Sequence, residues 1–278
     1  MRFDLHVHTT FSDGDYSPSE VVRLAKQKGI GLIAITDHDE CRGFGDVKEE
    51  TGIKVLPGIE LAARFEGEVH VLGLGIDWQS EPLLRHIERV VNLRRDRAAG
   101  IIKKLRKAGI DITVKDVENE CLGGVMGRPH IAAALVNKGH ASSVKEAFKA
   151  YLSKHSEFYV GFDKISVQEA VKLIRIAGGK AVLAHPGLIG ETARNDLMPL
   201  LGDMGFWGIE AYHPAHSDGN CKEFESLARS MGLYVTAGSD FHGSAKPKIE
   251  IGCETRTSEY LEESIRLLAA EADFIDYL

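Results

Sequence analysis

Short runs rich in valine, isoleucine and leucine recur along this 278-residue chain between stretches of helical periodicity. That alternation restricts the fold to the α/β class, with βα units around a largely parallel sheet. In the first run, residues 3–8, a strand sends positions i and i+2 to one face, so Asp4, His6 and His8 share a side and Leu5 and Val7 the other. Ser17-Pro18-Ser19-Glu20 then supplies an N-cap serine, a proline at the first helical position and the acid of a capping box, ahead of an apolar stripe at Val21, Val22, Leu24 and Ala25. "GLIAITDHDE", "IKVLPGIEL", "EVHVLGLGI", "KAVLAHPG", "WGIEAYHP" and "LYVTAGSDFHG" are the later strand segments, with a second capping box at Ser166 and Glu169. From about Glu81 the strand signal stops, and "PLLRHIERVVNLRRDRAAGIIKKLRKAG" reads as one long, basic, amphipathic helix. The expected organisation is a βα scaffold over 1–79 and 164–278, interrupted by a helical insertion over 80–163.

Nearly every expected strand ends on a histidine or a carboxylate. They are His6 and His8 with Asp13 in the following loop, Asp37-His38-Asp39, Glu60, His70, His185, Glu210 with His213, and Asp240 with His242. Loops from many strands converge at the carboxyl ends of strands in α/β sheets, which is where functional groups gather. Singly, these residues have ordinary explanations. His38 can cap a helix, Glu60 can pair with a surface lysine, His70 between two valines can be a satisfied core histidine, and His185 before Pro186 can be a turn residue. Their coincidence at so many strand ends points instead to metal ligation. Imidazoles and carboxylates without thiolate suit zinc, manganese or iron, and the ligand count exceeds what one ion uses. Paired ions orient and deprotonate a water and stabilise entering and leaving oxygens in a phosphoryl displacement, so the chemistry indicated is phosphoester hydrolysis.

Composition narrows the partners. A net charge of −7 gives no global basic field for nucleic acid, so no stable DNA complex is expected and a polyanion must be drawn in locally. Cys41, Cys121, Cys221 and Cys253 are far apart and form no Cys-x-x-Cys, so they read as reduced structural thiols. With no leader ahead of Arg2 and no apolar run of about 20 residues, a cytoplasmic address without membrane partners is expected. His86, His140 and His155 read as surface or packing residues without partners, and His216, just past the same strand end as His213, is a weaker candidate whose plain reading is solvent exposure.

Taken in order, "DLHVHTTFSDG", "AITDHDE", "PGIEL", "EVHVLGLG", "LAHPG" and "SDFHG" resemble the polymerase and histidinol phosphatase (PHP) family along most of the chain. The resemblance implies a distorted seven-stranded (βα)7 barrel and three divalent ions, with manganese favoured over iron or zinc. Carried over motif by motif, His6, His8 and Asp240 resemble the ligands of one ion, bridged by Glu60. Asp13, His38 and His242 resemble those of a second, and His70, His185 and Glu60 those of the third. Asp13, His38 and His213 are the catalytic candidates. Simple counting of three dications against Asp13, Glu60 and Asp240 leaves roughly +3, which draws in a phosphate.

The insertion narrows the resemblance to the branch that removes the 3'-phosphate of nucleoside 3',5'-bisphosphates, some members of which also degrade short 5'-phosphorylated RNA. "GRPH" places Arg128 and His130 at a helix start, where amide N–H groups favour anions, and with His213 they are the candidate phosphate contacts. A turn carrying a surface arginine is the plainer reading of the same residues. Histidinol-phosphate phosphatase is the rival within the enzyme class. A non-catalytic metal-binding regulatory module is the rival outside it, and the complete ligand set counts against that module.

Overall fold

The capping chemistry starts the helices where the sequence places them. The computed structural model describes residues 1–47, 52–121, 124–271 and 275–276. Strand β1 (Arg2–Val7) leads to Ser17, whose hydroxyl accepts from the Glu20 N–H while the Glu20 carboxylate accepts from the Ser17 N–H at 2.8 Å, and α1 (Pro18–Gln27) begins there. β2 (Ile30–Ile35), β3 (Lys54–Arg64) and β4 (Glu68–Leu74) follow. Next come α2 (Glu81–Lys107), α3 (Val114–Glu120), α4 (Arg128–Asn137) and the single turn α5 (Val144–Ala147). After β5 (Ile165–Ser166), the Ser166–Glu169 box opens α6 (Val167–Ile176). The chain continues through β6 (Lys180–Leu183), α7 (Glu191–Leu197), α8 (Leu201–Met204), β7 (Gly208–Tyr212), α9 (Asp218–Ser230), β8 (Tyr234–Ala237), α10 (Glu259–Glu271) and β9 (Ile275–Asp276).

Seven strands pair in the order β1-β2-β3-β4-β6-β7-β8, with β5 and β9 added to β3. The sheet is mixed rather than a uniform βα series, because β4 runs antiparallel to both β3 and β6. The cause lies at Phe65-Glu66-Gly67, where the Phe65 N–H bonds the Gly67 carbonyl at 3.1 Å and Glu66 takes φ 45°; so short a turn can make only a hairpin. The two end strands do not pair as a ladder. The His8 N–H donates to the Phe241 carbonyl (3.0 Å) and the Asp240 N–H to the His6 carbonyl (2.8 Å), so the segment after β8 lies against β1.

Apolar side chains collect in separate clusters. Leu5, Leu32, Leu56, Ile59, Leu72, Leu183, Ile209 and Val235 lie in the main one, under the helices. Ala98, Ile101, Ile102 and Leu105 of α2 pack with Ile112, Val117, Ile131 and Leu135 in another. Leu83 and Ile87, at the start of the same α2, belong to the main cluster, so one continuous helix is anchored in both. Each such leucine or isoleucine contributes roughly 1.5–3 kcal/mol when fully buried. The boundaries expected at 79–80 and 163–164 fall between described elements, whereas 277–278 lie outside the described residues.

Among the described residues, no helix is long and apolar enough to cross a membrane. The four cysteines are free, three of them buried, and burial pushes the Cys41 and Cys121 thiols up to about 12. Thiols so held are poor nucleophiles.

Candidate metal centre

β1 does what its alternation requires. His6 and His8 are fully buried on one face, and their Nε2 atoms stand 3.1 Å apart, aimed at one point. Asp240 Oδ1 approaches the same point, 3.7 Å from His6 Nε2 and 3.3 Å from His8 Nε2. Asp13 Oδ1 stands 3.3 Å from His242 Nε2, 3.8 Å from His8 Nδ1 and 3.9 Å from His38 Nε2. Donor atoms about 2.1 Å from a common ion are separated by roughly 3.0–3.4 Å, and these spacings lie close to that range. Asp13 Oδ1 and Glu60 Oε2 are buried without a geometrically sound hydrogen bond among the described residues. A buried carboxylate oxygen left in that state is costly unless a cation takes it, so the residues fit divalent ions.

Glu60 is the hub of the cluster. Its Oε1 lies 2.8 Å from His70 Nδ1, 2.9 Å from His185 Nε2 and 3.5 Å from His6 Nε2. Its Oε2 lies 2.7 Å from His38 Nδ1 and 3.4 Å from His8 Nε2. Burial alone would raise its carboxyl, but His38, His70 and His6 outweigh that and hold it well below the usual range. The same coupling works on the other side. Burial opposes charge on His70, yet Glu60 and then Glu68 push that imidazole up to about 10. His8 is held well below its ordinary value by burial and by His242 and His38.

The structure corrects where two of these residues sit. Glu60 is not at a strand end: it lies mid-way along β3, opposite Leu72, because the strand continues into the hairpin. His70 lies near the amino end of β4, whose reversed direction brings that end to the rim where the parallel strands finish. The residues expected around two of the ions converge as groups. His6, His8 and Asp240 form one, and Asp13, His38 and His242 another, with His8 joining the latter as well. His70 and His185 both reach the one oxygen Glu60 Oε1, and through Glu60 the structure groups His185 with His6 and, with His38 on the other oxygen Oε2, His70 with His38.

A supporting layer holds these rings. Glu210 on β7 is fully buried and accepts from His6 Nδ1–H (3.0 Å) and from the His185 backbone N–H (2.7 Å), so in the neutral ring the proton sits on Nδ1 and Nε2, facing the cluster, is the atom free to bind an ion. Asp37 is not a ligand candidate. It accepts from the Thr9 N–H (2.8 Å), the Thr9 hydroxyl (2.6 Å) and the Ser12 hydroxyl (2.5 Å), fixing the loop that carries Asp13. Asp39, His185 and Asp240 all have positive φ (51°, 28° and 56°), a backbone state that costs about 1–3 kcal/mol each and collects at functional sites. Replacing Glu210 with glutamine is expected to lower both bound divalent metal and turnover by about 10- to 100-fold. Elemental analysis beside kinetics checks this, and full metal occupancy in the variant would remove Glu210 from the site.

Two histidines differ from expectation. His216 is not exposed: at 4% exposure it donates Nδ1–H to the Ala211 carbonyl and accepts the Gly187 N–H at Nε2, both at 3.0 Å, tying the loop after β6 to β7. His140 has a partner, the Asp111 carbonyl 2.9 Å from its Nε2. His213 Nδ1 accepts the Ala215 N–H at 3.0 Å, which places the ring proton on Nε2. That nitrogen is buried without a hydrogen-bond partner among the described residues, 3.5 Å from Asp240 Oδ2.

The open side of the cluster is where His38, His70 and Asp13 retain some exposure, against a cleft of about 180 Å3. The far wall comes from α2, the start of α4 and the segment before β5. Arg128 and His130 line it as the sequence suggests, and Arg94, Arg97 and Lys164 join them. Arg94 pairs with Asp39 and Lys164 with Glu68, 2.6 Å away, whereas Arg97 donates to the Val160 carbonyl (2.8 Å) and Arg128 to the Leu152 carbonyl (3.3 Å). Burial, then Arg128 and Arg94, push the Arg97 guanidinium down to about 10. His130 Nδ1 accepts the Gly127 N–H at 2.9 Å, so its one donor is Nε2–H, which the Ser12 backbone also engages. Sequence reading missed Arg94, Arg97 and Lys164.

Comparison with known proteins gives a consistent picture. The PHP domain family profile matches residues 4–278. The chain is 33% identical over 258 residues to the "5'-3' exoribonuclease Rnm" of Escherichia coli K12, covering 90% of this chain and 88% of that one. It is also 33% identical over 258 residues to the "3',5'-nucleoside bisphosphate phosphatase" of Chromobacterium violaceum, covering 90% of each. A solved structure from Chromobacterium violaceum, described as an amidohydrolase with bound sulfate and no metal, superposes with a TM-score of 0.87 at 29% identity, over 100% of this chain and 99% of that one.

Proposed function

This chain belongs to the PHP domain family, and from that premise we propose a metal-dependent phosphoesterase whose preferred substrates are nucleoside 3',5'-bisphosphates, cleaved at the 3' ester. Hydrolysis of a phosphate ester is what the family and the relatives support, and the choice of ester is the finer reading. Three divalent ions, with manganese favoured, would be held by His6, His8 and Asp240, by Asp13, His38 and His242, and by His70, His185 and Glu60. Bound there, such ions polarise phosphoryl oxygens and acidify water. The mixed sheet is read as the family's distorted barrel, and 80–163 as an inserted domain closing one side of the cleft.

One observation carries the substrate reading. Arg97 and Arg128 face the metal cluster across the cleft without a carboxylate partner among the described residues, and Arg97 is only 7% exposed. A buried guanidinium without a counter-charge, beside others of its kind, is unfavourable until an anion enters. A substrate with one phosphate at the metals and a second one ribose away meets both walls. Water then adds across the ester bond: its oxygen bonds to phosphorus, the bond to O3' breaks, and O3' leaves as the alcohol. His213 contributes a hydrogen bond from Nε2–H to the phosphoryl oxygens where charge accumulates, and Asp13 and His38 flank the open face. Histidinol phosphate has one phosphate and a cationic end, which this wall repels. A short 5'-phosphorylated RNA presents the same 5'-phosphate and 3' ester, so the reading extends to it.

The test is product formation by manganese-loaded protein on adenosine 3',5'-bisphosphate, histidinol phosphate, p-nitrophenyl phosphate and a 5'-phosphorylated trinucleotide. Adenosine 3',5'-bisphosphate giving AMP is expected to have the highest kcat/KM among the monoesters. Arg128→Ala is expected to lower that value about 100-fold while changing p-nitrophenyl phosphate hydrolysis less than about threefold. Equal losses on both, or a preference for histidinol phosphate, would overturn the two-phosphate reading and leave the metal centre standing.

A further inference from the structure

We propose that Arg256, far from the cleft in sequence and outside the metal cluster, is a positioning residue that aims His213 Nε2–H at the reacting phosphate. The inference rests on the phosphoesterase reading above. Arg256 Nη2 donates to the His213 carbonyl and Nη1 to the His216 carbonyl, each at 2.8 Å, so one guanidinium grips both ends of the four-residue turn that presents His213. Inside that turn the His216 N–H closes on the His213 carbonyl (2.9 Å) and the Ala215 N–H donates to His213 Nδ1 (3.0 Å). The second bond fixes the tautomer. If the turn opens, Nδ1 loses its donor and the ring proton is no longer held on the nitrogen that faces Asp240.

The guanidinium is itself held. Glu254 Oε1 accepts from Arg256 Nε and from the Arg256 backbone N–H, both at 2.9 Å, its Oε2 accepts from Nη2, and Asp218 Oδ1 takes Nη1 at 3.2 Å. Glu254 is nearly buried, whereas Arg256 is 29% exposed and bonds the backbone of the His213 turn rather than the ring. The planar fork matters because two carbonyls several ångströms apart need two rigidly related donors, and a lysine ammonium is a single point. A salt bridge at a solvent edge would not call for that geometry.

The experiment is kinetic, on manganese-loaded Arg256→Met and Arg256→Lys and on Arg256→Met combined with His213→Gln. The substrate is adenosine 3',5'-bisphosphate or, if another ester is turned over faster by wild type, that ester. Each single variant is expected to lose about 30-fold in kcat with KM within about threefold and manganese content unchanged, and lysine is not expected to rescue. In the His213→Gln background the same change is expected to cost less than about twofold, because the group it positions is gone. Wild-type kcat in Arg256→Met, or an undiminished loss in the His213→Gln background, overturns the proposal and leaves the phosphoesterase reading intact. A wild type inert on every ester overturns both. Should Arg256→Met fail to fold, Glu254→Gln keeps the arginine and frees its aim; a loss of about fivefold that vanishes without His213 supports the proposal, and no loss overturns it.

Discussion

Glu60→Gln is expected to reduce kcat about 10^4-fold, equivalent to about 5.5 kcal/mol of transition-state stabilisation, and to lower the divalent metal bound per chain. The argument starts from geometry: one fully buried carboxylate reaches five imidazoles, those of His6, His8, His38, His70 and His185, within 3.5 Å. Glutamine keeps the volume and the rotamer, so the core cluster under β3 has no reason to collapse. It replaces one acceptor oxygen by an amide that donates, pointed at ring nitrogens that must themselves be unprotonated to bind ions. It also removes the negative charge on which the surrounding imidazoles depend. Elemental analysis and turnover on adenosine 3',5'-bisphosphate check this. Near-wild-type turnover with full metal content would mean that the hub is structural and that the centre lies elsewhere.

Gly238→Ala is expected to destabilise the protein by about 3 kcal/mol, a fall in Tm of roughly 6–12 °C, and to abolish turnover with it. Gly238 lies where the end of β8 passes β1, and a Cβ there would stand 2.3 Å from His6 Cβ and 2.8 Å from both the His6 nitrogen and Glu210 Oε1. No rotamer change relieves that contact, because His6 Cβ and N belong to a strand already paired with β2. The same methyl also wedges Glu210 away from His6 Nδ1, so the ring loses its orienting partner. Gly202→Ala in α8, where open space surrounds the added atom, serves as the control and is expected to be neutral or slightly stabilising. Thermal melts of the two variants decide the matter; equal Tm values would show that β1 and β8 can part without cost.

Much of the centre could be read before any coordinates because its residues are fixed by local rules. His6 and His8 follow from period two in one strand, and Asp240 and His242 stand in one short motif. Capping boxes at Ser17 and Ser166 set helix starts to the residue. What escaped depends on long-range partners. Arg97 stands seven residues after Val90 and four before Ile101, on the buried stripe of α2, so helical periodicity separates it from the exposed Arg95 and Lys103; what the sequence hides is that packing against 157–162 and a cleft, not an apolar core, cover that stretch of the stripe. His216 resembled a surface residue because its second partner, Gly187, is 29 positions away. The direction of β4 was hidden for a related reason, since alternation reports which face a residue takes but not which way the strand runs.

α2 is a single helix of 27 residues rooted at one end beneath the sheet and at the other among the helices of the insertion, with Arg94 and Arg97 midway. A rod fixed at both ends does not swing as a lid does; moving its cations relative to the imidazoles means bending hydrogen-bonded helix or uprooting one of two cores. The gap between the two walls is therefore a built-in ruler. On the two-phosphate reading proposed above, substrates would be sorted by how far apart they carry their charges, and an ester with the right phosphate at the wrong reach would be refused even though every side chain that could hold it is present.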